Sequence, residues 1–389
     1  MDFTLNEDDR AFADAVARFA RGKLADGALA RAHSSEFPWD TAKLLADQGL
    51  LGITFSEKDG GQGGSLMQAV LAIQEVALVC PRSADIVQAG NFGPIRTFVE
   101  YATPEQKARF LPDLLAGRKL ISLGMTEPDA GSAATELTTN ARRDGDGWRI
   151  NGSKIFSTHS SEAELFLIYL RYGPGLDGIG SVLVEKGTPG FTVGNPAEFM
   201  NGEHWSQLYF EDCYIPDVNV LLGEGGFRKQ IAGFNVERLG NSSRSLALGR
   251  HAFNTAREHA LVRKQFGRHL CEFQGLQWKF ADMWMKLEQA QLLLYKAAME
   301  GEDGNLPSAQ STAMAKLACN EAGWFAANEA LQIMGGMGFS KEALVEYCLR
   351  RIRGWMIAGG SLEMLRNRIA EGVLGRSFPQ RAPRPEKTV

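Results

Sequence analysis

The stretch GMTEPDAGS at 124–132 joins a short strand-forming run to a Pro-Asp-Ala-Gly-Ser turn. Thr126 and Ser132 bring hydroxyls, and Gly131 permits a positive φ and close approach of a ligand. Successive N–H groups in such a turn can form a concavity for an anion. Pro and Gly also build ordinary turns, so the stretch alone fixes no chemistry. A second loop, DGGQGG at 59–64, lacks the lysine of a P-loop and follows no clear strand; a flexible connector describes it equally well. The five cysteines (Cys80, Cys213, Cys271, Cys319, Cys348) are scattered, with neither CxxC nor Cys/His spacing, so no metal set is expected.

The elements that must hold these residues fall into three blocks. Over 6–24, Phe12, Val16 and Phe19 recur at helical steps behind an acidic first turn. Further helices are expected over 40–49, 66–79, 84–101 and 104–116, the last with Pro at its first turn. From Lys119 the texture alternates: ISLGM, TELTTNARRD, GWRINGSKIFS, AELFLIYLRY, GSVLVEKG and QLYFEDCYI read as strands, with Asp144-Gly145-Asp146-Gly147 as a hairpin turn. After Gly226 long helices are expected over 227–263, 273–299, 308–334 and 342–356, then a shorter one from 362. In the second of these, Phe273, Gln277, Phe280, Trp284, Leu287, Gln291 and Leu294 keep a spacing suited to helices packed side by side. The expected fold is mixed and mainly α: an N-terminal helical domain (1–118), a middle β-barrel or sandwich (119–224) and a C-terminal four-helix bundle (225–389) whose tail QRAPRPEKTV is disordered.

A chain of 389 residues can bury about three quarters of its unfolded surface in two or three packed units. Its net charge of -4, with both signs interspersed, offers no basic field for nucleic acid or an anionic membrane. The N-terminus is acidic with no apolar run, and no run of about 18 apolar residues follows. Together with the cysteine usage this predicts a cytoplasmic protein in a reducing compartment.

Several stretches, in order and over nearly the whole chain, resemble the flavin-dependent acyl-CoA dehydrogenases. GMTEPDAGS resembles the family's flavin-binding signature, NGSKIFSTHS at 151–160 its second flavin-contacting strand, and RKQFGRHLCEFQGLQWKFADM at 263–283 its C-terminal signature. QIMGGMGF at 332–339 and GGSLEMLRNRIA at 359–370 complete the set. The resemblance implies FAD as cofactor, an acyl-CoA substrate, electron-transfer flavoprotein as partner and a homo-oligomer, tetramer or dimer. It puts Thr126 and Thr158 beside the flavin ring, Phe156 where the family usually has Trp, and Ser132 at the pyrophosphate. Arg263, Phe266, Gln274, Gln332, Gly335 and Gly336 would meet FAD held by a neighbouring subunit, and Ser361 and Glu363 complete the cofactor set.

Two further departures accompany the match. Ala133 stands where the family usually has an Asp. Gly359, in Ala358-Gly359-Gly360-Ser361, stands where many members carry the catalytic Glu. A base for the α-proton of a thioester must be a carboxylate or similar group in a dry site. A minority of the family carries that Glu on the first long C-terminal helix, which Glu237-Arg238 matches. The resemblance therefore implies Glu237 as base, Arg238 along CoA, and the Gly359 N–H on the thioester carbonyl. Arg82 lies in a stretch similar to one in glutaryl-CoA dehydrogenases and could bind a distal carboxylate or sulfinate; a solvated loop arginine is the alternative. The expected reaction is dehydrogenation to a 2,3-enoyl-CoA. An acyl-CoA desulfinase, another non-oxidative flavoenzyme, or a scaffold that has lost its cofactor are the alternatives.

Overall fold

The computed structural model describes residues 4–301 and 306–378, so the 380–389 tail expected to be disordered lies outside the described residues. Seven helices come first: α1 (Glu7–Lys23), α2 (Ala28–His33), α3 (Trp39–Asp47), α4 (Leu66–Val79), α5 (Pro81–Ala89), α6 (Pro94–Tyr101) and α7 (Pro104–Leu115). Their starts are written locally. Asn6 accepts the Asp9 N–H at 2.7 Å, and Ser65/Gln68 and Thr103/Gln106 form capping boxes at α4 and α7, satisfying N–H groups that have no partner within the helix. The single helix expected over 84–101 is two. Gly93 adopts φ +72 between them, and a Cβ on Gly90 would stand 2.6 Å from Leu51. The short α2 carries too little periodicity to be read from sequence.

The middle strands are β1 (Ile121–Gly124), β2 (Asn140–Asp144), β3 (Gly147–Thr158), β4 (Leu165–Arg171), β5 (Ile179–Glu185), β6 (Phe191–Val193), β7 (Ala197–Glu198), β8 (His204–Pro216) and β9 (Val220–Leu222). They form one nine-stranded sheet in the order β6-β8-β3-β2-β4-β5-β9, with β1 on β4 and β7 on β8. Asp144 faces Gly147 across the β2–β3 hairpin, as the Asp-Gly-Asp-Gly run predicts. TELTTNARRD is a strand only from Asn140. Ahead of it, the Thr138 and Thr139 N–H groups donate to the Glu127 carboxylate at 2.6 and 2.9 Å, so this backbone bonds to a side chain instead of a neighbouring strand.

The C-terminal part comprises α8 (Phe227–Val262), the small hairpin β10 (Lys264–Gln265) and β11 (Arg268–His269), α9 (Gln274–Met299), α10 (Ala309–Met334), α11 (Gly336–Phe339), α12 (Val345–Trp355) and α13 (Leu362–Leu374). Helices α8 and α10 cross on glycine: a Cβ on Gly323 would stand 2.2 Å from the Ser245 carbonyl oxygen. One apolar core joins this bundle to the N-terminal helices through α4, with Val70, Ile73 and Val76 packed in it alongside Leu246, Leu287 and Leu294. Two smaller cores line the sheet. Ala84 and Val87 of α5 and Val236 and Leu239 of α8 belong to the joining apolar core, which fixes the two helices against each other.

Candidate active site

Gln88 on α5 donates from Nε2 to Glu237 Oε1 on α8 at 2.7 Å. One turn earlier on α5, Asp85 pairs with Arg244, two turns further along α8. Gly240 permits this approach, since a Cβ there would lie 2.7 Å from Phe92. Burial pushes the Glu237 carboxyl up to about 7, against the opposing pull of Arg244, the Gln88 hydrogen bond, the Gly93 backbone and Lys316. The Glu237 side chain keeps some surface while its Oε2 is enclosed without a side-chain partner. A carboxyl with this environment suits proton transfer near neutral pH.

Lys316, whose charge acts on Glu237, also holds the turn between α12 and α13. Gly359 and Gly360 adopt φ +71 and +95, and the Gly359 Cβ direction points to Lys316 Cε at 3.6 Å and Asn241 Nδ2 at 3.8 Å. Lys316 donates to the Trp355 and Gly360 carbonyls, each at 2.9 Å, and burial lowers its ammonium to about 7. Ser361 caps α13 by accepting the Met364 N–H, and Glu363 is exposed in the first turn of that helix. Glu237 and Arg238 have separate partners: Arg238 Nη1 donates to Asn235 Oδ1 at 2.9 Å, and its Nη2 lies toward Gly360. Burial and the nearby Arg368 lower Arg238 to about 10.

Arg82 is not a solvated loop residue. It sits in α5, 5 % exposed, with Nη1 3.6 Å from Asp85 and 3.3 Å from Glu203. Arg351 on α12 binds Asp85 at 3.1 Å and holds Glu203 through both Nη atoms, at 2.5 and 3.0 Å. His159 joins Glu203 at 3.0 Å. Burial raises the Glu203 carboxyl, but Arg351, His159 and Arg82 hold it well below the usual range.

The hydroxyl and aromatic residues gather on the sheet. The Ile155 N–H donates to the Thr126 carbonyl at 2.8 Å, which brings Thr126 beside the end of β3 that carries Phe156 and Thr158. Both threonines are half-buried. Phe156, at φ +59 and 51 % exposed, groups with Phe199 and Trp205 into an apolar wall lacking the indole N–H a Trp at 156 would add. Ser132 is exposed and a Cβ on Gly131 would meet nothing within 4 Å, so the turn is open to a phosphate. Buried Lys154 anchors it, donating to Glu127 at 2.7 Å and to the Met125 carbonyl at 3.2 Å. Ala133 begins the short turn Ala134–Glu136 with no side-chain cap. An open glycine turn with a hydroxyl beside an apolar aromatic wall suits a ligand that carries both a phosphate and a planar ring.

The remaining predicted residues lie in two other groups. Arg263, Phe266 and Gln274 flank the β10–β11 hairpin, and Gln332, Gly335 and Gly336 close α10; Lys279 and Glu329 pair between α9 and α10 close to both groups. All six are exposed, Phe266 to 93 %. Sequence reasoning missed Asn241, Arg244, Lys316 and Trp355. The signal available for Asn241 and Arg244 was their spacing four and seven residues after Glu237, one face of a helix.

Three domain models describe the chain: acyl-CoA dehydrogenase N-terminal domain over 6–118, middle domain over 122–213 and C-terminal domain over 224–374. A 3-sulfinopropanoyl-CoA desulfinase of Paraburkholderia xenovorans is 34% identical over 97% of this chain and 99% of its own. A short-chain specific acyl-CoA dehydrogenase of Clostridium acetobutylicum is 34% identical over 94% and 97%. The solved butyryl-CoA dehydrogenase of Megasphaera elsdenii superposes with TM-score 0.89 at 32% identity, covering 97% of this chain and 100% of that one. With this agreement across all three domains, the chain belongs to the acyl-CoA dehydrogenase family, which brings FAD as cofactor and an acyl-CoA as substrate.

Proposed function

We propose that the protein dehydrogenates an acyl-CoA thioester to a 2,3-enoyl-CoA, with Glu237 as the base. The observation that carries this is the Glu237 carboxyl, enclosed between α5 and α8, raised to about 7, and linked through Lys316 to a turn in which Gly359 has no side chain. Glu237 takes the α-proton onto a carboxylate oxygen. The Gly359 N–H stabilises the charge that develops on the thioester oxygen, and Arg238 lies along CoA. Thr126, Phe156 and Thr158 line the flavin ring; Ser132 holds the pyrophosphate. Arg263, Phe266, Gln274, Gln332, Gly335 and Gly336 receive a neighbouring subunit's FAD in a homo-oligomer, while Ser361 and Glu363 shape the turn beside it. The chemistry FAD supplies when bound is acceptance of the β-hydride at N5. Electron-transfer flavoprotein is the partner that would take up the electrons.

Glu237→Gln tests the assignment. The variant is expected to retain yellow FAD and to bind acyl-CoA esters, yet to lose bleaching of the flavin absorbance by substrate. Unchanged turnover would refute Glu237 as base. A second reading, desulfination of a sulfinyl-CoA, is favoured by the desulfinase relative and by the buried arginines around Asp85 and Glu203. Sulfite release without reduction of an electron acceptor would select it.

A further inference from the structure

Arg244 is left unused by the proposed reaction, and its surroundings are unusual. It is 2 % exposed, and its guanidinium carbon lies 3.8 Å above the Trp355 ring. Nη1 pairs with Asp85, whereas Nε and Nη2 are buried with no hydrogen-bond partner among the described residues. Arg351, by contrast, spends Nε on Asp85 and both Nη atoms on Glu203. Unpaired buried donors are costly, and a chain that retains them commonly pairs them with something it lacks when empty. Asn241 Nδ2 and Trp355 Nε1 are further buried donors without partners among the described residues. Stacking on Trp355 covers one face of the guanidinium and leaves its in-plane edge, the edge a carboxylate uses.

Charge points the same way. Arg82, Arg244 and Arg351 meet two carboxylates, Asp85 and Glu203, which leaves one positive charge over. His159 on Glu203, just past the end of β3, and the enclosed Glu237 carboxyl on α8 are the other titratable groups facing the cluster, with the buried Tyr347 hydroxyl from α12. Burial lowers Arg244 only to about 10, so it stays charged at neutral pH.

We propose that Arg244, backed by Asn241 and Trp355, is the receptor for an anionic group at the distal end of the acyl chain, a carboxylate or a sulfinate. The inference rests on the reading that the thioester presents its α-carbon to Glu237. Glu237, Asn241 and Arg244 share one face of α8, and at 1.5 Å rise per residue the first and last are about 10 Å apart along the axis. The two long side chains span part of that distance, so the acyl chain between them is short. Arg82 is then a positioning residue that holds Asp85 and Glu203 in register.

The test uses the FAD-loaded full-length protein and measures binding through perturbation of the flavin spectrum, with bleaching read separately. Succinyl-CoA and 3-sulfinopropionyl-CoA are compared with butyryl-CoA. A charge-assisted bond of about 1.5–3 kcal/mol predicts tighter binding of the acidic esters by about 10- to 100-fold. Arg244→Met should abolish that preference, and Arg244→Lys should keep part of it. The Met variant leaves two arginines against two carboxylates; should it fail to load FAD, Arg244→Gln and Arg244→Lys carry the comparison. No preference in the natural protein, a preference that survives loss of the Arg244 charge, or one removed only by Arg82→Met would overturn the proposal. Arg244-dependent binding of acidic esters without bleaching would sink dehydrogenation and leave the anion site standing, and sulfite release from the sulfinyl ester alone would identify which acid is the substrate.

Discussion

Gln88→Leu isolates the hydrogen bond that tunes Glu237. The substitution removes one donor, Nε2 at 2.7 Å from Oε1, and leaves a side chain of similar length against Gly240. A hydrogen bond to a charged group contributes about 1.5–3 kcal/mol, equivalent to about 1–2 units of pKa at 1.36 kcal/mol each. The carboxyl stands at about 7 and would move to about 8–9. At pH 7 the ionised fraction then falls from about one half to about 1–10 %. Only the carboxylate can accept the α-proton, so kcat/KM at pH 7 should fall by about 5- to 50-fold and recover above pH ~9.

The assay is the pH dependence of kcat/KM, with FAD content and thermal midpoint as controls. Lys316 also sits at about 7, but loss of Gln88 touches only the Glu237 limb directly. An acid limb that stays in place would refute the assignment of that limb to Glu237. A loss equal at every pH would mean that Gln88 orients the base without setting its charge. Folding stability has the opposite sign to activity. A carboxyl raised from 4.5 to about 7 favours the folded state most below about 4.5, and that contribution is lost as pH rises through about 7.

Two predictions concern the scaffold. Gly323→Ala forces its Cβ against the Ser245 carbonyl oxygen, 2.2 Å away, so α8 and α10 must separate; thermal melts should show a loss of about 1–3 kcal/mol. Lys154→Met strands the buried Glu127 carboxylate, whose level of about 2 reflects burial raising it and Lys154 lowering it further. Urea melts at pH 7 should show a loss of about 3–5 kcal/mol, with reduced FAD retention because Glu127 also holds Thr138 and Thr139. In the unaltered protein this carboxylate stabilises above about 4.5 and its contribution fades as pH falls toward 2; in Lys154→Met acidification should instead relieve the strain.

What could be read from the sequence was local. The acidic first turn of α1, the Pro at the start of α7 and the Asp-Gly-Asp-Gly hairpin depend on neighbouring residues, and the long C-terminal helices announce themselves by periodicity. The segment before β2 looked like strand because its composition is that of a strand; the Glu127 carboxylate, which diverts its N–H groups, is eleven residues away from Thr138 in sequence. Arg82 shows the same limit at longer range. Its partner Glu203 is 121 residues away, and Asp85 is shared with Arg351, 266 residues away, so no local pattern could tell a solvated arginine from one inside a buried ionic cluster.

Gly359 and Glu237 make sense as one arrangement. Lys316 ties the α12–α13 turn at both ends through the Trp355 and Gly360 carbonyls, and the turn passes through two consecutive positive φ values. Any side chain at 359 would be strained by about 1–2 kcal/mol and would point into the polar floor made by Lys316 and Asn241. A turn shaped in this way offers an N–H and no carboxylate, so a base for the cleft has to come from the facing helix. Position 237 on α8 can supply it, because Gly240 lets α5 close in to bring Gln88 onto the carboxyl. The same close approach sets Asp85 against Arg244, so that one contact between α5 and α8 holds both the proposed base and the proposed anion receptor.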